Sequence, residues 1–422
     1  MPENQRVNRM SKTFVKDLQF YKFSLYGFLK NLRFFEPFLI LFFAEKGILY
    51  FQIGTLYAIR EISTNILEIP TGIVADSFGR RRTMVYSFIS YIISFIIFYF
   101  SSHYFLFVIA MVFFSFGEAF RTGTHKAMIF EYLKIKGWKD QKVYYYGNTR
   151  SWSQVGSALS SLIAASIVFY TGSYKFIFLY STIPYVLDLL LMMTYPKELD
   201  GEIEQLEGKK IKQNFSKVIR EFIYSFRNID MLRAIANISV YGGFYKATKD
   251  YIQPILRTFA LSLPILLFLD NKQRSSVVIG IVYFLIYMLT SFASRISGET
   301  AEKFKNLCTP LNITMIGGFL MGILVGVFYD LRLSVVSIVL YIGIYIIENL
   351  RKPMGISYVT DMMQQDILAT ALSAQSQASS LAAAIIALLI GFLADNYGVG
   401  NSLIIVSIIL ILTTPLYIAK EG

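Results

Sequence analysis

The chain has 422 residues, of which 55% are hydrophobic and 16% are charged, whereas soluble domains carry about 25% charged residues. One cysteine excludes a disulfide framework, two histidines argue against a multi-histidine metal centre, and the nucleotide-binding motif GxxxxGK(S/T) is absent from the sequence. The apolar residues come in blocks of about twenty, the length that crosses a bilayer core. These features predict an all-α membrane protein that crosses the bilayer many times, is not an enzyme and uses no cofactor or metal.

Residues 1–19 precede the first apolar block and are polar and basic. They lack the short apolar core and the small-residue cleavage site of a secretory signal. We therefore expect a retained cytoplasmic arm.

Twelve apolar windows follow, and each predicts one transmembrane helix, numbered here as spans 1 to 12. The windows are 20–45, 51–75, 83–101, 104–133, 149–171, 173–195, 231–262, 275–301, 306–328, 332–362, 367–394 and 399–419. Residues 196–230, between spans 6 and 7, are rich in Lys and Glu and predict a cytoplasmic linker, partly an amphipathic helix on the membrane surface. The layout is a six-helix bundle over 20–195, the linker, and a second six-helix bundle over 231–419.

Basic residues are concentrated at one end of the predicted spans. With a cytoplasmic N-terminus, the inside segments carry Arg80, Arg81, Arg82, Lys134, Lys136, Lys139, Lys142, the linker lysines, Lys303 and Lys305. The opposite loops carry Lys46, Lys175, Lys272, Arg274 and Arg332. Because short cytoplasmic loops are enriched in Lys and Arg, both termini are predicted to be cytoplasmic, and the net charge of +12 reflects topology and not nucleic-acid binding. The high content of Ile, Phe, Tyr and Lys is typical of AT-rich prokaryotic genomes and favours the cell's inner membrane.

Charged residues of the first bundle recur in the second. The order acid, arginine, acid has the same spacing in Glu118, Arg121 and Glu131 of span 4 and in Glu348, Arg351 and Asp361 of span 10. A glycine followed four positions later by an acid occurs at Gly72 and Asp76 after span 2, and at Gly298 and Glu302 after span 8. Matches in the same order predict a duplicated six-helix unit and hence two pseudo-symmetric bundles.

The sequence between spans 2 and 3 reads GIVADSFGRRR from Gly72 to Arg82. This segment closely resembles the loop signature of the major facilitator superfamily, GxxxD(R/K)xGR(R/K), except at Ser77, where the family usually has a basic residue. Glycines allow a tight turn between two helices, and loop arginines pair with acids at nearby helix ends. A degenerate second copy follows span 8, where the family repeats the motif, so the resemblance covers essentially the whole chain.

The resemblance implies a secondary transporter whose two halves rock around one central site near the bilayer midplane. Family members commonly couple transport to a proton gradient. Span 5 lacks the Gly-Pro signature of drug/proton antiporters, which disfavours a multidrug antiporter. The resemblance also implies a cytoplasmic gate in which acids latch onto the signature loop. The signature and gate residues are Gly72, Asp76, Gly79, Arg80, Arg81, Glu131, Arg150, Gly298, Glu302 and Asp361.

Ionisable residues inside the spans are costly, about 2.5–3.5 kcal/mol each on insertion scales, so they are interpreted first as functional. The set expected to bind substrate and couple protons is Arg33, Glu61, Glu68, Glu118, Arg121, Glu348 and Arg351. Arg121 resembles the span 4 arginine that many proton-coupled family members carry. Glu118 or Glu68 is expected to pair with it and to release it when protonated.

A structural interpretation of the same charges stays open. Arg33–Glu36 and Glu348–Arg351 are then self-neutralised pairs that only hold helices together. Lys246 of span 7 is interpreted as a lysine that extends to the lipid headgroups.

The leading hypothesis is a monomeric, proton-coupled transporter of a small anionic or polar organic solute, with the bilayer and protons as its other partners. The main alternative is efflux of cationic or amphipathic compounds bound by Glu68 and Glu118. A sensor that binds ligand without moving it is a weaker alternative. A membrane enzyme is weaker still, because the sequence shows no arrangement of nucleophile and base.

Overall fold

The computed structural model describes residues 15–138, 141–201, 229–361 and 368–420. Within these ranges the backbone is helical almost throughout and contains no strand. Most of the predicted arm and linker, residues 1–14 and 202–228, falls outside the described residues. The predicted domain boundaries at these two segments therefore stay predictions.

The first six spans follow the predicted windows. Their bounds are Leu18–Lys30 and Leu39–Glu45 for span 1, Tyr50–Phe78 for span 2, Arg80–Phe100 for span 3, Tyr104–Arg121 and Thr124–Ile135 for span 4, Lys142–Thr171 for span 5 and Phe176–Met193 for span 6. Short 3-10 turns occur at Glu36–Phe38, inside span 1, and at Lys197–Asp200, after span 6.

The second six spans are also present. Their bounds are Ile229–Thr248 and Ile252–Ser262 for span 7, Asn271–Glu302 for span 8, Cys308–Asp330 for span 9 and Ser334–Asp361 for span 10. Spans 11 and 12 share one helical run, Leu368–Thr413, which turns sharply at Gly398. The predicted fold of twelve helices in two six-helix bundles is thus confirmed for the described part of the chain.

Eight helices of the described chain are long and apolar enough to cross a membrane. They cover spans 3 to 6 and 8 to 12, with spans 11 and 12 counted as one helix. Spans 1 and 7 are broken into shorter helices, and span 2 carries Arg60, Glu61 and Glu68. Charges in a span are retained mainly where they face a polar interior, so the charged residues of span 2 are expected to face the interior between the helices.

Span 4 is interrupted after Arg121. Gly123 has a φ of +83°, in the left-handed region that glycine adopts at little cost. The interruption places Arg121 in the last turn of one helix, just as the break in span 1 places Lys30 in the last turn of another. The helix macrodipole favours a cation at both positions.

Two membrane faces can be defined from side-chain contacts. At one face the backbone N–H of Arg81 donates to Asp200 Oδ1 at 2.7 Å, and we call this the linker face. At the opposite face, called the far face, Lys272 Nζ of span 8 lies 2.5 Å from Glu45 Oε1 of span 1. The second contact joins the two halves of the molecule.

Spans 2 and 11 also join the halves toward the far face. A Cβ atom on Gly54 would lie 2.2 Å from the carbonyl oxygen of Ala387, so only glycine allows the two backbones to approach this closely. Asp395 of span 11 accepts hydrogen bonds from the backbone N–H groups of Tyr50 and Phe51, both at 2.8 Å. The carboxylate therefore caps the N-terminus of span 2, where the helix dipole favours a negative charge.

Candidate functional site

A cavity of about 630 Å³ lies between spans 1, 4 and 5, and Lys352 of span 10 completes its wall. Its lining residues on spans 4 and 5, including Gly123 and Tyr146, belong to the parts of these spans nearest the linker face. The described hydrogen bonds and ion pairs between the halves lie from mid-membrane, at Asn65 and Gln377, to the far face. The described contacts between the halves therefore close the cavity toward the far face.

Basic side chains dominate the lining. Among the described lining residues, the basic ones are Lys30, Arg121, Lys126, Arg150 and Lys352, and the one carboxylate is Glu118. Lys126 rests against the rings of Phe130 and Tyr146, with Nζ 5.6 and 5.7 Å from the ring centres. Lys30, Arg150 and Lys352 form no ion pair with any described residue.

Glu118 is held by three neighbours. Arg33 Nη2 lies 3.1 Å from Glu118 Oε2, Tyr91 Oη donates to the same oxygen at 2.5 Å, and Arg121 pairs with the other oxygen. Arg121 Nε also donates to Tyr91 Oη at 3.2 Å. Two guanidinium groups and a phenol thus share this carboxylate, so its charge is satisfied within the protein.

The predicted pair of Arg33 and Glu36 is present and belongs to a larger network. Arg33 Nη1 lies 3.3 Å from Glu36 Oε1. From the second half, Tyr287 Oη donates to Glu36 Oε2 at 2.7 Å and Gln253 Nε2 donates to the carbonyl oxygen of Glu36 at 2.8 Å. This network connects the cavity to the closed region between the halves.

Glu61 forms a second network across the halves. Its carboxylate lies 3.2 Å from Arg60 Nη2 and 3.1 Å from Lys246 Nζ, and Lys246 also donates to Ser380 Oγ at 3.0 Å. The interpretation of Lys246 as a lysine that extends to the headgroups is therefore wrong. Lys246 instead forms an ion pair with Glu61 of span 2 inside the membrane.

Glu68 and Glu348 differ from Glu61 and Glu118, because neither forms an ion pair with a described residue. The expected pair of Glu348 and Arg351 is therefore not formed. Glu68 lies two turns from Glu61 toward the linker face, on the same span. Glu348 lies in span 10, and the basic groups that act on it electrostatically are Lys352, Arg351 and Lys246.

Arg351 lies inside the second half and is only 3% exposed. Its guanidinium donates to Asn237 Oδ1 and Thr314 Oγ1, both at 2.9 Å, and also to the carbonyl oxygen of Leu311. It lies over the ring of Tyr241, with 4.6 Å between Cζ and the ring centre. These contacts tie spans 7, 9 and 10 together, and they separate Arg351 from Arg121 despite the matching sequence positions.

The signature loop lies at the linker face. Arg80 Nη1 is 3.8 Å from Glu131 Oε2, so the predicted contact between this loop and the end of span 4 is present. Gly79 has a φ of +88°, and Arg81 donates to Asp200 as described above. Arg150 lines the cavity and is not in a described contact with the loop.

The second copy of the signature shows fewer contacts. Gly298 has open space around the position of a Cβ atom, and Glu302 is exposed and forms no ion pair with a described residue. The side chains of Asp76 and Asp361 and the surroundings of Gly72 lie outside the described part of the chain.

Several residues of this region were not selected from the sequence. They are Lys30, Lys126 and Lys352 of the cavity wall, Tyr91 beside Glu118, and Asp200 beside the signature loop. The sequence could have identified the lysines, because each is a charged residue within an apolar helix. It could not have identified Tyr91, because nothing distinguishes it from the other tyrosines among the 29 in the chain. The described residues contain no group of three or more His, Cys, Asp or Glu side chains placed to hold a metal ion.

Two six-helix bundles around a charged cavity that is closed toward one membrane face are the architecture of a transmembrane transporter. The model of the Major Facilitator Superfamily matches residues 26–385, and the chain belongs to that family. It is accordingly a multi-pass membrane protein and a secondary transporter of a small molecule, and not an enzyme.

Known relatives agree with this assignment. YxaM of Bacillus subtilis (strain 168), an uncharacterised MFS-type transporter, is 22% identical over 408 residues, which cover 94% of each chain. The solved nucleoside transporter NupG has a TM-score of 0.77 at 13% identity, over 96% of this chain and 100% of its own. A bacterial homologue of the human lysosomal transporter Spinster, in an inward-facing and unoccupied conformation, has a TM-score of 0.69 at 14% identity, over 96% and 97%. At these identities the solved structures show a shared fold.

Proposed function

We propose that this transporter carries a small anionic organic solute and couples its movement to protons. The cavity carries the proposal, because Lys30, Lys126, Arg150 and Lys352 line it without a described carboxylate partner. Cations in a site of low dielectric that lack a protein partner attract an anionic ligand. The cavity volume of about 630 Å³ falls within the range of sites for small organic molecules.

Glu118 does not weaken this proposal, although it is the one acid among the described lining residues. Arg33, Arg121 and Tyr91 already occupy its oxygens. The same contacts argue against the alternative of cation efflux, since a cationic substrate bound to Glu118 must displace two arginines.

Proton coupling is supported by Glu68 and Glu348. Neither carboxylate forms an ion pair with a described residue, and both lie in membrane spans. A carboxylate in such surroundings gains or loses a proton when neighbouring charges move. We therefore infer that proton binding accompanies the change between conformations.

The linker face is proposed to be cytoplasmic. It carries Arg80, Arg81 and Arg82 of the signature loop, and short cytoplasmic loops are enriched in basic residues. Both termini are then cytoplasmic, the described conformation is inward-open, and the contact of Arg80 with Glu131 is part of the inner gate. The protein is proposed to act as a monomer in the inner membrane of a prokaryotic cell.

Ligand-induced thermal stabilisation of the purified protein tests the charge preference. The anions are succinate, citrate and inorganic phosphate; choline and tetraphenylphosphonium are the cations, and glucose and uridine the neutral compounds. A ligand that binds the folded state raises the unfolding temperature. We expect stabilisation by at least one anion and none by the cations.

Lys126 and Lys142 provide a matched pair of variants for this experiment. Both lie against the ring of Phe130, at 5.6 and 4.0 Å, but only Lys126 lines the cavity. Lys126→Gln is expected to weaken stabilisation by the anion, and Lys142→Gln to leave it unchanged. Stabilisation by cations alone, or equal effects of the two substitutions, argues against an anion site in this cavity.

A further inference from the structure

Asp188 of span 6 is a buried acid that no contact explains. Asp188 is 0% exposed, and neither of its carboxylate oxygens has a hydrogen-bond partner among the described residues. Burial of an ionised carboxylate without a partner costs far more than burial of the neutral acid. In this conformation the side chain is therefore most stable with its proton bound.

Spans 1 and 6 run antiparallel, and their register places Asp188 opposite span 1. Tyr185 Oη donates to the carbonyl oxygen of Lys30 at 3.2 Å, and Lys22 Nζ donates to that of Thr194 at 3.0 Å. Asp188 lies one turn from Tyr185, on the same helix face and between these two contacts. The cations that act on it electrostatically are Lys30 and Arg121.

The other titratable groups around Asp188 come from several elements. The segment after span 6 contributes Tyr195, and span 1 contributes Tyr26, both of which lie near enough to Asp188 to interact with it electrostatically. Span 4 contributes His125, whose ring stacks on that of Tyr26 at 3.6 Å. Span 3 contributes Tyr91, whose ring lies 5.1 Å from that of Tyr185.

Lys30 connects the buried acid to the cavity. It lines the cavity, forms no ion pair with a described residue, and ends the first helix of span 1 just before the chain breaks from helical geometry. Arg121, the other nearby cation, is already engaged by Glu118. Lys30 is therefore the cation whose charge depends on the state of Asp188.

We propose that Asp188 is a proton-binding site of this transporter, in addition to Glu68 and Glu348, and acts through Lys30. With a proton on Asp188, Lys30 keeps its charge free for the anionic solute in the cavity. When the proton leaves, the Asp188 carboxylate pairs with Lys30 and cancels that charge. Proton and anion then favour each other's binding by the same factor, because linkage is reciprocal. This proposal rests on the proposed transport of an anion.

Infrared spectroscopy of the purified protein, without any ligand, tests the proton site. A buried carboxylic acid gives a C=O stretching band that is distinct from the carboxylate bands. We expect Asp188→Asn to lack one component of this band at acidic pH. Asp270→Asn is the matched control, because Asp270 caps span 8 by accepting from Lys272 N and Gln273 N, both at 2.8 Å. The control is expected to keep the whole band.

Lys30→Met tests the connection between the two residues. Without the neighbouring cation, the ionised form of Asp188 loses its partner, so the band component is expected to persist to higher pH than in the native protein. An acid band that is the same in Asp188→Asn and the native protein overturns the proposal. An unchanged titration in Lys30→Met also overturns it. If Asp188→Asn does not fold, the native protein and Lys30→Met are both labelled with ¹³C at the aspartate carboxyl groups. The native protein must then show an aspartic-acid band component, and in Lys30→Met this component must persist to higher pH.

Anion binding in the same variants separates this proposal from the proposed function. The apparent affinity of the native protein for succinate, citrate or phosphate, measured by thermal stabilisation, is expected to fall about tenfold from acidic to alkaline pH. A change of this size lies within the usual range of coupling. Asp188→Asn, which is permanently neutral, is expected to keep its affinity at both. A pH-dependent affinity in Asp188→Asn overturns the proton site and leaves anion transport intact. An Asp188 band that depends on Lys30, without stabilisation by any anion, overturns the substrate class and supports the proton site.

Discussion

Glu118 lies between Arg33 and Arg121, and loss of its charge leaves both guanidinium groups without their shared anion. Removal of one partner of a buried ion pair typically costs several kcal/mol. We expect Glu118→Gln to lower the free energy of unfolding by about 3 kcal/mol. The thermal unfolding midpoint of the purified protein measures this loss.

Glu68→Gln is the control for this prediction, because the same chemical change is made on an acid without a described ion pair. Its effect is expected to stay within about 0.5 kcal/mol. Equal destabilisation by the two substitutions contradicts the conclusion that Glu118 is held by ion pairs and that Glu68 is not.

The sequence alone did not separate these two acids. The cost of charges in the membrane and their helical spacing identified both residues as members of one polar set, of which Glu118 and Arg121 line the cavity. Which acid is neutralised depends on contacts between spans, such as the hydrogen bond from Tyr91 to Glu118. Arg351 shows the same limit, because its partner Asn237 belongs to another span and has no charge that marks it in the sequence.

The two copies of the signature motif have unequal surroundings at the scale of single elements. Gly79 has a φ of +88°, and a Cβ atom there would lie 3.0 Å from the carboxyl carbon of Asp200. Gly298 sits inside the helix of span 8, with open space around it. We therefore expect Gly79→Ala to destabilise the protein by about 1–2 kcal/mol, the cost of a left-handed backbone for an L-residue.

Gly298→Ala is expected to have the opposite sign. Alanine in a helix interior is favoured over glycine by about 0.5–1 kcal/mol, and nothing in the described structure opposes the added methyl group. Unfolding midpoints of both variants against the native protein measure the difference. A similar loss in both variants contradicts the distinction between the two copies.

The positions of the helices were predicted, but their interruptions were not. Apolar blocks of the right length located all twelve spans, and the repeated charges indicated two related halves. The break after Lys30 and the 3-10 turn at Lys249–Tyr251 in span 7 occur in windows that read as continuous helices. Pro37 lies in the 3-10 turn of span 1, and Pro254 closely follows the turn of span 7, so each break has a proline nearby as a local signal. Contacts between spans, such as the donation from Gln253 to the carbonyl oxygen of Glu36, add to that signal.

For the whole molecule, the far-face contacts keep the cavity closed toward that face. Spans 2 and 11 meet where a Cβ atom on Gly54 would lie 2.2 Å from the carbonyl oxygen of Ala387. A larger side chain at this position forces the two spans apart, and overpacking of this kind costs about 1–3 kcal/mol. The substitution therefore destabilises the conformation in which the far face is closed. We expect Gly54→Val to shift the population toward conformations that are open at that face.

Cysteine accessibility measures this shift. The chain has one cysteine, Cys308, which is buried, so a Cys308→Ser background allows one reporter cysteine at Asn31 in the cavity wall. A membrane-impermeant maleimide applied from the far face is expected to label this reporter about tenfold faster with Gly54→Val, since about 1.4 kcal/mol changes a population ratio tenfold.

Gly317→Val is the control for the added bulk, because no atom lies within 4 Å of a Cβ at Gly317. It is expected to leave the labelling rate unchanged. If Gly54→Val labels no faster than Gly317→Val, tight packing of spans 2 and 11 does not set the conformational balance. The network of Glu36 with Tyr287 and Gln253 is then the next contact to test, and Tyr287→Phe in the same assay tests it directly.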